Sequence, residues 1–271
     1  MEEVKNQRSF GEKWTNINSQ EKLHDETSVF VPLGQKPATQ RQFILGHYFE
    51  YISQITKEIN CQRALEVGCG RGTIALYLNK YLACQVDLLD NSQAAIDLAR
   101  HNFAKFGGQG QFRVESVEAM TYTDNTFDLT VSIGLTEHFQ DYHKVYSEQY
   151  RVLKPGGVMI CLNVPKKRSI QGLNRFYRWL VKPVPGQRKG DYYRNVDGPA
   201  DYQRVAQEVG FKRVKTFYVN SFPLFTPMSL ATEKKVTNFY RFIYKLRGLY
   251  MSYPFRGSKL LSQAHFLIAH K

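Results

Sequence analysis

The stretch that decides the fold is Ala64-Leu65-Glu66-Val67-Gly68-Cys69-Gly70-Arg71-Gly72, and Asp90 follows Gly70 by twenty residues. The pattern predicts a short apolar strand that ends in a glycine turn, then a helical segment, then a second strand that closes on an acid. In α/β proteins this order holds an adenosine-type ligand. The glycines let the ligand approach the backbone, and the acid accepts hydrogen bonds from ribose hydroxyls.

Two details narrow the class of ligand. The dinucleotide fingerprint needs a third glycine at position 73, where this chain has Thr73. Glu66 lies just ahead of the turn, where its carboxylate would repel a pyrophosphate and attract a cationic amino group. Both residues disfavour an NAD-dependent reductase.

The acid at the end of the second strand is assigned by its position. Asp90 ends the predicted strand, whereas the rival Asp87 falls between Val86 and Leu88, where an unpaired charge would be costly to bury. Because ligands of open α/β sheets bind beyond the carboxyl ends of the strands, we expect Asp90 to line the site.

The whole pattern resembles the S-adenosylmethionine (SAM) site of class I methyltransferases of the type 11-like family. The resemblance covers about residues 60–165. It is carried by the E-x-G-x-G-x-G spacing with its acid, by Asp124-Asn125-Thr126-Phe127-Asp128, by the Glu137-His138 pair, and by Arg151-Val152-Leu153-Lys154-Pro155-Gly156-Gly157.

This resemblance implies SAM as the cofactor, S-adenosylhomocysteine as its product, and no metal. Glu66 and the backbone of Gly68 and Gly70 would hold the methionine portion, and Asp90 the ribose. Ser116 and Val117 would meet the adenine, although the family usually has an acidic residue where this chain has Ser116. The further residues expected to line the cofactor are Cys69, Asn91, Ile133 and Gly134.

His138 lies where the methyl donor is expected to end, and histidine titrates near neutral pH. It is therefore the candidate general base. The alternative is that His138 packs against the methionine arm or caps the following helix. Because methyl transfer depends mainly on in-line positioning of donor and nucleophile, the enzyme hypothesis does not require a strong base.

The alternation of strands and helices predicts a doubly wound, seven-stranded, mainly parallel sheet of Rossmann-like methyltransferase type with an inserted cap. The predicted strands are 63–67, 84–89, 111–115, 127–133, 158–163, 214–219 and 264–269. The predicted helices are 41–59, 72–82, 92–106, 141–152, 200–209 and 233–250.

Four regions are expected along the chain. Residues 1–60 form an arm and a helix that cover the site, 61–165 the SAM-binding core, 166–198 a basic and aromatic lid, and 199–271 the rest of the sheet with an aromatic helical segment. The candidate acceptor-binding residues are Trp14 in the arm and Tyr192 and Tyr193 in the lid.

Composition constrains the partners. The net charge of +13 is concentrated in 166–194 and in the last forty residues, which suits an anionic acceptor, nucleic acid or a membrane surface, or a well-solvated surface. No secretory signal is visible, and the four cysteines lack metal-ligand spacing, so free thiols in a cytoplasmic protein are expected. The oligomeric state stays open.

The sequence thus predicts an enzyme that transfers methyl groups to an oxygen or nitrogen of a small molecule, of secondary-metabolite or sugar type, in biosynthesis. One alternative is methylation of nucleic acid or a lipid headgroup; against nucleic acid, Asn163-Val164-Pro165-Lys166 lacks an aromatic that would stack on a base. Another is a SAM-fold partner protein without turnover. The segment 239–246 is expected to pack in the core rather than touch a bilayer.

Overall fold

A seven-stranded sheet organises the protein. The computed structural model describes residues 29–166, 193–220, 229–251, 253, 255–260, 262 and 264–271. The strand order is β3-β2-β1-β4-β5-β7-β6, in which β7 runs antiparallel to both of its neighbours and the other pairs are parallel. The predicted fold class is confirmed, and the strand order reverses between β1 and β4.

The order of strands and helices along the chain is close to the one predicted from the sequence. The strands are β1 (Arg63–Val67), β2 (Gln85–Asp90), β3 (Gln111–Val114), β4 (Phe127–Ile133), β5 (Leu153–Asn163), β6 (Lys212–Val219) and β7 (Ala264–His270). The helices are α1 (Gln40–Glu58), α2 (Thr73–Leu82), α3 (Gln93–Phe106), α4 (His143–Val152), α5 (Pro199–Val209) and α6 (Leu230–Gly248), with a short 3₁₀ turn at Thr136–His138.

Helices cover both faces of the sheet. One apolar core lies under α1, α2, α3 and α6 and includes Ile52, Leu76 and Tyr244. The second lies under α4 and α5 and includes Tyr146 and Tyr202. All four cysteines are buried and free, in agreement with the prediction.

Ser92 caps α3, since its side chain accepts a hydrogen bond from the N–H of Ala95. One predicted boundary needs adjustment. The fifth strand begins at Leu153 rather than at 158, because Leu153 pairs with Phe127 of β4 ahead of a register shift.

Asp87 is buried but it is not an unpaired charge. Its carboxylate accepts hydrogen bonds from Arg63 Nε at 2.9 Å and from Arg63 Nη2 at 3.1 Å. This bidentate pair joins neighbouring strands and compensates the burial of the acid. The reason given for excluding Asp87 from the ligand site, that its charge would be unpaired, was therefore wrong.

The expectation that segment 239–246 packs in the core is wrong for half of its large side chains. Tyr240 and Tyr244 are buried, whereas Phe239, Phe242 and Leu246 are exposed. Successive helical residues are about 100° apart, so residues of one apolar segment point in opposite directions.

Within the described part of the chain, no helix has the length and apolar character that a bilayer-spanning segment requires.

The first turn of α2 offers a test of the fold. Gly72 has φ +66°, and a Cβ at this position would lie 2.6 Å from Leu88 Cδ2. We expect Gly72→Ala to lower the free energy of unfolding by about 2 kcal/mol, through overpacking and backbone strain. Urea denaturation measures the change.

Gly46→Ala is the matched control. Gly46 lies within α1, and a Cβ there meets nothing within 4 Å, so alanine should raise the free energy of unfolding by about 0.5–1 kcal/mol. Equal effects of the two substitutions would contradict the geometry of the turn.

Candidate active site

Three glycines shape the loop between β1 and α2. Gly68, Gly70 and Gly72 have φ values of +63°, +51° and +66°, a region that side chains with a Cβ rarely adopt. A Cβ on Gly68 would also lie 2.6 Å from Leu135 Cδ1, in the loop after β4. The glycine turn therefore depends on small residues for its backbone and for its contact with a second loop.

The Asp90 carboxylate holds this turn from the end of β2. Its Oδ2 accepts a hydrogen bond from Gly70 N at 3.0 Å, and its Oδ1 accepts one from Ser92 N at 3.0 Å. The Asp90 carbonyl accepts from Glu115 N at 3.1 Å. A single residue thus connects the loops that follow the first three strands.

Glu66 is buried at the end of β1 and caps α2. The N-cap of α2 is Gly72, which has no side chain to offer, and Glu66 Oε2 instead accepts a hydrogen bond from Ala75 N at 2.8 Å. Burial, with a smaller contribution from the nearby Asp90 carboxylate, raises the pKa of Glu66 to about 8. Backbone N–H groups of the helix oppose that rise only in part.

Cys69 and Asn91 differ in their exposure. Cys69 is buried within the turn, its N–H donates to Leu89 O at 3.0 Å, and burial raises the pKa of its thiol well above the ordinary value. It therefore acts through its backbone and not as a nucleophile. Asn91 is exposed beside Asp90.

The predicted adenine loop follows β3 as a tight turn. Ser116 Oγ accepts a hydrogen bond from Glu118 N at 3.3 Å, and Ser116 O accepts one from Ala119 N at 3.3 Å. Val117 is buried in the same apolar cluster as Val67. Both residues thus lie in the loop expected to meet the ligand, with Ser116 exposed and Val117 buried.

The loop after β4 brings the remaining predicted residues to the same edge of the sheet. Ile133 ends the strand, and Gly134 has φ +70° while its N–H donates to Leu162 O at 2.8 Å. Leu135 then reaches the glycine turn, as described above. Leu135 was not predicted as a site residue, because an isolated leucine carries no pattern that marks it.

His138 has a defined tautomer in its neutral form. Its Nδ1 lies 2.7 Å from Tyr193 O, and a carbonyl only accepts, so Nδ1 carries the hydrogen and Nε2 the lone pair. Nε2 lies 3.9 Å from Glu137 Oε1, and the side chain is 10% exposed. This arrangement gives Nε2 the lone pair that a general base needs. It also adds a role that the sequence did not suggest, because the ring joins the loop to Tyr193.

The sequence reasoning missed a buried polar group beside His138. Asn195 N donates to Glu137 O at 2.8 Å, Tyr202 OH donates to Asn195 Oδ1 at 2.7 Å, and Asn163 Nδ2 lies 3.3 Å from His265 Nε2. Asn195 Nδ2 and Asn163 Oδ1 are buried with no hydrogen-bond partner among the described residues. These side chains come from distant segments, so no local motif marks them.

The candidate acceptor residues are only partly described. Tyr193 is half-buried and its carbonyl bonds to His138. Trp14 and Tyr192, like most of the 1–60 arm and of the 166–198 lid, lie outside the described residues. Within the described ranges, no three His, Cys, Asp or Glu side chains are grouped so as to hold a metal ion.

The described residues fit the chemistry of SAM. A buried carboxylate at the end of β2 offers about four lone-pair sites, enough to accept bonds from a ribose diol as well as from the backbone. Glu66 occupies the helix N-terminus, the position that receives phosphate in dinucleotide-binding folds. The donor set therefore suits a ligand with a ribose and a cation better than one with a pyrophosphate.

Comparison with known proteins agrees with this assignment. Residues 65–161 match the family model described as a methyltransferase domain. The chain is 35% identical over 113 residues to the sterol 24-C-methyltransferase erg-4 of Neurospora crassa. The aligned stretch covers 41% of this chain and 29% of that relative. The chain thus spans less than a third of the length of this relative.

Solved structures show the same fold at low sequence identity. A candidate sarcosine dimethylglycine methyltransferase of Galdieria sulphuraria superposes with a TM-score of 0.57 at 18% identity, over 90% of this chain and 93% of that one. A second structure is phosphoethanolamine N-methyltransferase 2 of Haemonchus contortus in complex with phosphomonomethylethanolamine and S-adenosylhomocysteine. It superposes with a TM-score of 0.51 at 20% identity, and the match covers 78% of this chain and 49% of that one. The family model thus identifies residues 65–161 as a methyltransferase domain, and the solved structures share its fold.

The raised pKa of Glu66 leads to a prediction on stability. The group titrates near its ordinary value of 4.5 in the unfolded chain and near 8 in the folded protein. Between these values the folded protein holds a proton that the unfolded chain has released, so the free energy of unfolding falls with rising pH. The slope is about 1 kcal/mol per pH unit, and the loss ends above about pH 8.

Glu66→Gln keeps an acceptor for Ala75 N and removes the proton, so the slope due to Glu66 should vanish. We expect the variant to gain stability over the wild type progressively from about pH 5 to pH 8, as measured by urea denaturation at each pH. Glu58→Gln, at an exposed position, is the control and should follow the wild type. Parallel curves for the wild type and Glu66→Gln would show that Glu66 is ionised throughout.

Proposed function

We propose that the protein transfers a methyl group from SAM to an oxygen or nitrogen atom of a small-molecule acceptor. The observation that carries this proposal is the hydrogen bond of 3.0 Å from Gly70 N to Asp90 Oδ2. It holds Asp90 of β2, the acid proposed to bind the ribose, against the glycine turn of β1, the strand that borders β4 where the strand order reverses.

Each predicted cofactor residue has a distinct part in this proposal. Asp90 accepts hydrogen bonds from the ribose hydroxyls. The Gly68 and Gly70 backbone borders the methionine portion. A cationic amino group beside Glu66 would favour the ionised form of its carboxyl group over the protonated form. The loop of Ser116 and Val117 borders the adenine ring, with apolar contact from buried Val117 and polar contact from exposed Ser116.

When bound, SAM supplies an electrophilic methyl group on a sulfonium. The chain's own contribution is to hold an acceptor nucleophile in line and to exclude water, which is where proximity effects are large. His138 is positioned for removing the proton that the acceptor loses, since its Nε2 carries the lone pair while Nδ1 donates to Tyr193 O. A role in holding Tyr193 is the alternative.

The acceptor is proposed to bind beside His138, beyond the ends of β4 and β5. Asn195 Nδ2 and Asn163 Oδ1 are buried polar atoms in this region, and together they offer one donor and one acceptor. Such a pair suits a hydroxyl or amino group better than a hydrocarbon. These observations favour a small acceptor, and the net charge of +13 favours an anionic one.

Carbon methylation is the second candidate. The Neurospora crassa relative is named as a sterol C-methyltransferase, whereas the Haemonchus contortus structure is named as an N-methyltransferase with a phosphorylated amine bound. The two names support different nucleophiles. A screen of phenols, amines, sugars and sterol-type acceptors distinguishes oxygen or nitrogen from carbon as the atom methylated.

Other classes of acceptor lead to different observations. Methylation of nucleic acid would show a steep fall of binding with salt, and a partner protein without turnover would bind SAM and form no product. Cytoplasmic biosynthesis of a small molecule remains the setting that the sequence predicts.

Asp90 gives the first test of the proposal. We expect Asp90→Asn and Asp90→Ala to weaken binding of SAM and of S-adenosylhomocysteine at least tenfold, because charge-assisted hydrogen bonds contribute about 1.5–3 kcal/mol each. Calorimetric titration of the purified protein measures both affinities.

The control is Asp97→Asn on α3, whose carboxylate is 45% exposed; it should bind both ligands as the wild type does. Thermal unfolding of each variant separates a lost ligand contact from a lost fold, since Asp90 also bonds to Gly70 and Ser92. Unchanged affinity in folded Asp90→Asn would refute the ribose assignment, and no binding by the wild type would refute the proposed function.

His138 is tested by two substitutions that separate its hypotheses. His138→Asn keeps a donor close to the position of Nδ1 and removes the base at Nε2, while His138→Ala removes both. If His138 is the general base, kcat falls about 10²- to 10⁴-fold in both variants, while the affinity for S-adenosylhomocysteine is unchanged.

If His138 only holds Tyr193, the asparagine variant retains near-normal kcat and the alanine variant does not. Steady-state kinetics with the best acceptor of the screen, together with the pH dependence of kcat, provide the measurement. If the change of kcat with pH near neutrality persists in His138→Asn, the group that titrates there is not His138.

A further inference from the structure

Helix α6 has two apolar faces, and only one of them is covered by the described chain. Tyr240 and Tyr244 are buried, and the Tyr244 ring lies 5.0 Å from the Phe43 ring of α1. On the other side, an exposed set runs along the helix and the two residues after it. We call this set the outer face of α6; its members are Phe239 (55% exposed), Phe242 (57%), Leu246 (43%), Leu249 (69%) and Tyr250 (87%).

The outer face is a continuous stripe. With about 100° per residue, these five positions fall on one side of the helix, opposite Tyr240 and Tyr244. Phe239 and Tyr250 are about 16 Å apart along the axis, at about 1.5 Å per residue. A stripe of two phenylalanines, two leucines and a tyrosine is unlike the scattered single apolar residues of an ordinary surface.

Basic side chains border this stripe. Lys234, Lys235 and Lys245 are exposed on the same helix. The only acid of α6 is Glu233, and it is directed towards α1, where its Oε1 accepts a hydrogen bond from Gln40 N at 3.3 Å. The exposed side of α6 therefore combines apolar area with positive charge.

This combination distinguishes two kinds of partner. The centres of protein–protein interfaces are depleted of lysine, whereas helices that lie in the surface of an anionic bilayer carry aromatic and leucine side chains on one face and Lys or Arg on the other. Lysine stems also extend along apolar surface while the ammonium stays among the headgroups. Charge complementarity thus favours the bilayer.

We propose that the outer face of α6 binds the surface of an anionic lipid bilayer, with Phe239, Phe242 and Leu246 inserted at the headgroup boundary and Lys235 and Lys245 among the phosphates. The binding is peripheral and does not depend on the methyltransferase activity proposed above. A protein bound in this way reaches lipid-embedded or membrane-associated acceptors by diffusion along the surface.

The first turn of α6 lies near the start of α1. Helix α1 leads into the amino end of β1, so its first residue, Gln40, lies towards the opposite, carboxyl edge, and Glu233 in the first turn of α6 bonds to it. The glycine turn lies at the same carboxyl edge as this contact.

Co-sedimentation with vesicles tests the proposal directly. The full chain is mixed with vesicles of phosphatidylglycerol and phosphatidylcholine, or of phosphatidylcholine alone, at low salt and at about 1 M salt, where the Debye length is about 3 Å. We expect binding to the anionic vesicles at least tenfold stronger than to the neutral ones, and a large loss of that preference at high salt.

Two double variants separate the contributions. Phe242→Ser with Leu246→Ser should reduce binding to anionic vesicles at least tenfold, and Lys235→Glu with Lys245→Glu should abolish the preference for anionic lipid. Leu33→Ser and Lys36→Glu, both at exposed positions outside α6, are the matched controls and should bind as the wild type does. All substituted side chains are exposed or bordering solvent, and thermal unfolding verifies the fold of each variant.

Three results would overturn the proposal. These are no binding to anionic vesicles, equal binding by the wild type and both double variants, and a wild-type dimer in sedimentation velocity that the Phe242→Ser, Leu246→Ser variant converts to a monomer. The last result would assign the face to a second copy of the chain. The vesicle assay needs neither SAM nor turnover. A failure of the proposed methyltransferase function would therefore not affect its result.

Discussion

The site depends on the carboxyl group of Glu66, which is buried beneath the first turn of α2 and accepts a hydrogen bond from Ala75 N at 2.8 Å. A helix that begins at a glycine cap has unsatisfied N–H groups, and in dinucleotide-binding folds a phosphate of the ligand meets them. Here a residue of the preceding strand does so. The Ala75 N–H is thereby satisfied without a ligand, and it is not available to a phosphate.

This arrangement has a cost that explains the rest of the turn. Burial disfavours the charged form of Glu66, and the Asp90 carboxylate nearby adds like charge. Asp90 in turn accepts hydrogen bonds from Gly70 N and Ser92 N. The Glu66 carboxyl group is thus driven towards protonation, and a cationic ligand beside it would oppose that change.

How far the sequence predicted this structure depended on the range of each interaction. The glycine turn, Asp90 and the Ser92 cap were predictable because each is encoded within a few residues of the element it serves. The ion pair that compensates the buried charge of Asp87 could not be predicted in this way, because its partner Arg63 lies on the neighbouring strand. The buried face of α6 could not be predicted from the sequence either. Phe239 and Tyr240 are both large and apolar, and which of them is buried depends on the packing of α6 against α1.

The same difference in range separates the two halves of the site. The proposed cofactor side is built from short motifs that follow β1, β2 and β3, whereas the proposed acceptor side joins His138 to Tyr193 and Glu137 to Asn195 across more than fifty residues. Asn195 O also accepts a hydrogen bond from Lys166 N at 2.8 Å, so this segment contacts the chain just after β5. Because these bonds use mainly backbone atoms, side chains of the returning segment can vary without disturbing the glycine turn. The fold can therefore keep one cofactor while it changes acceptors.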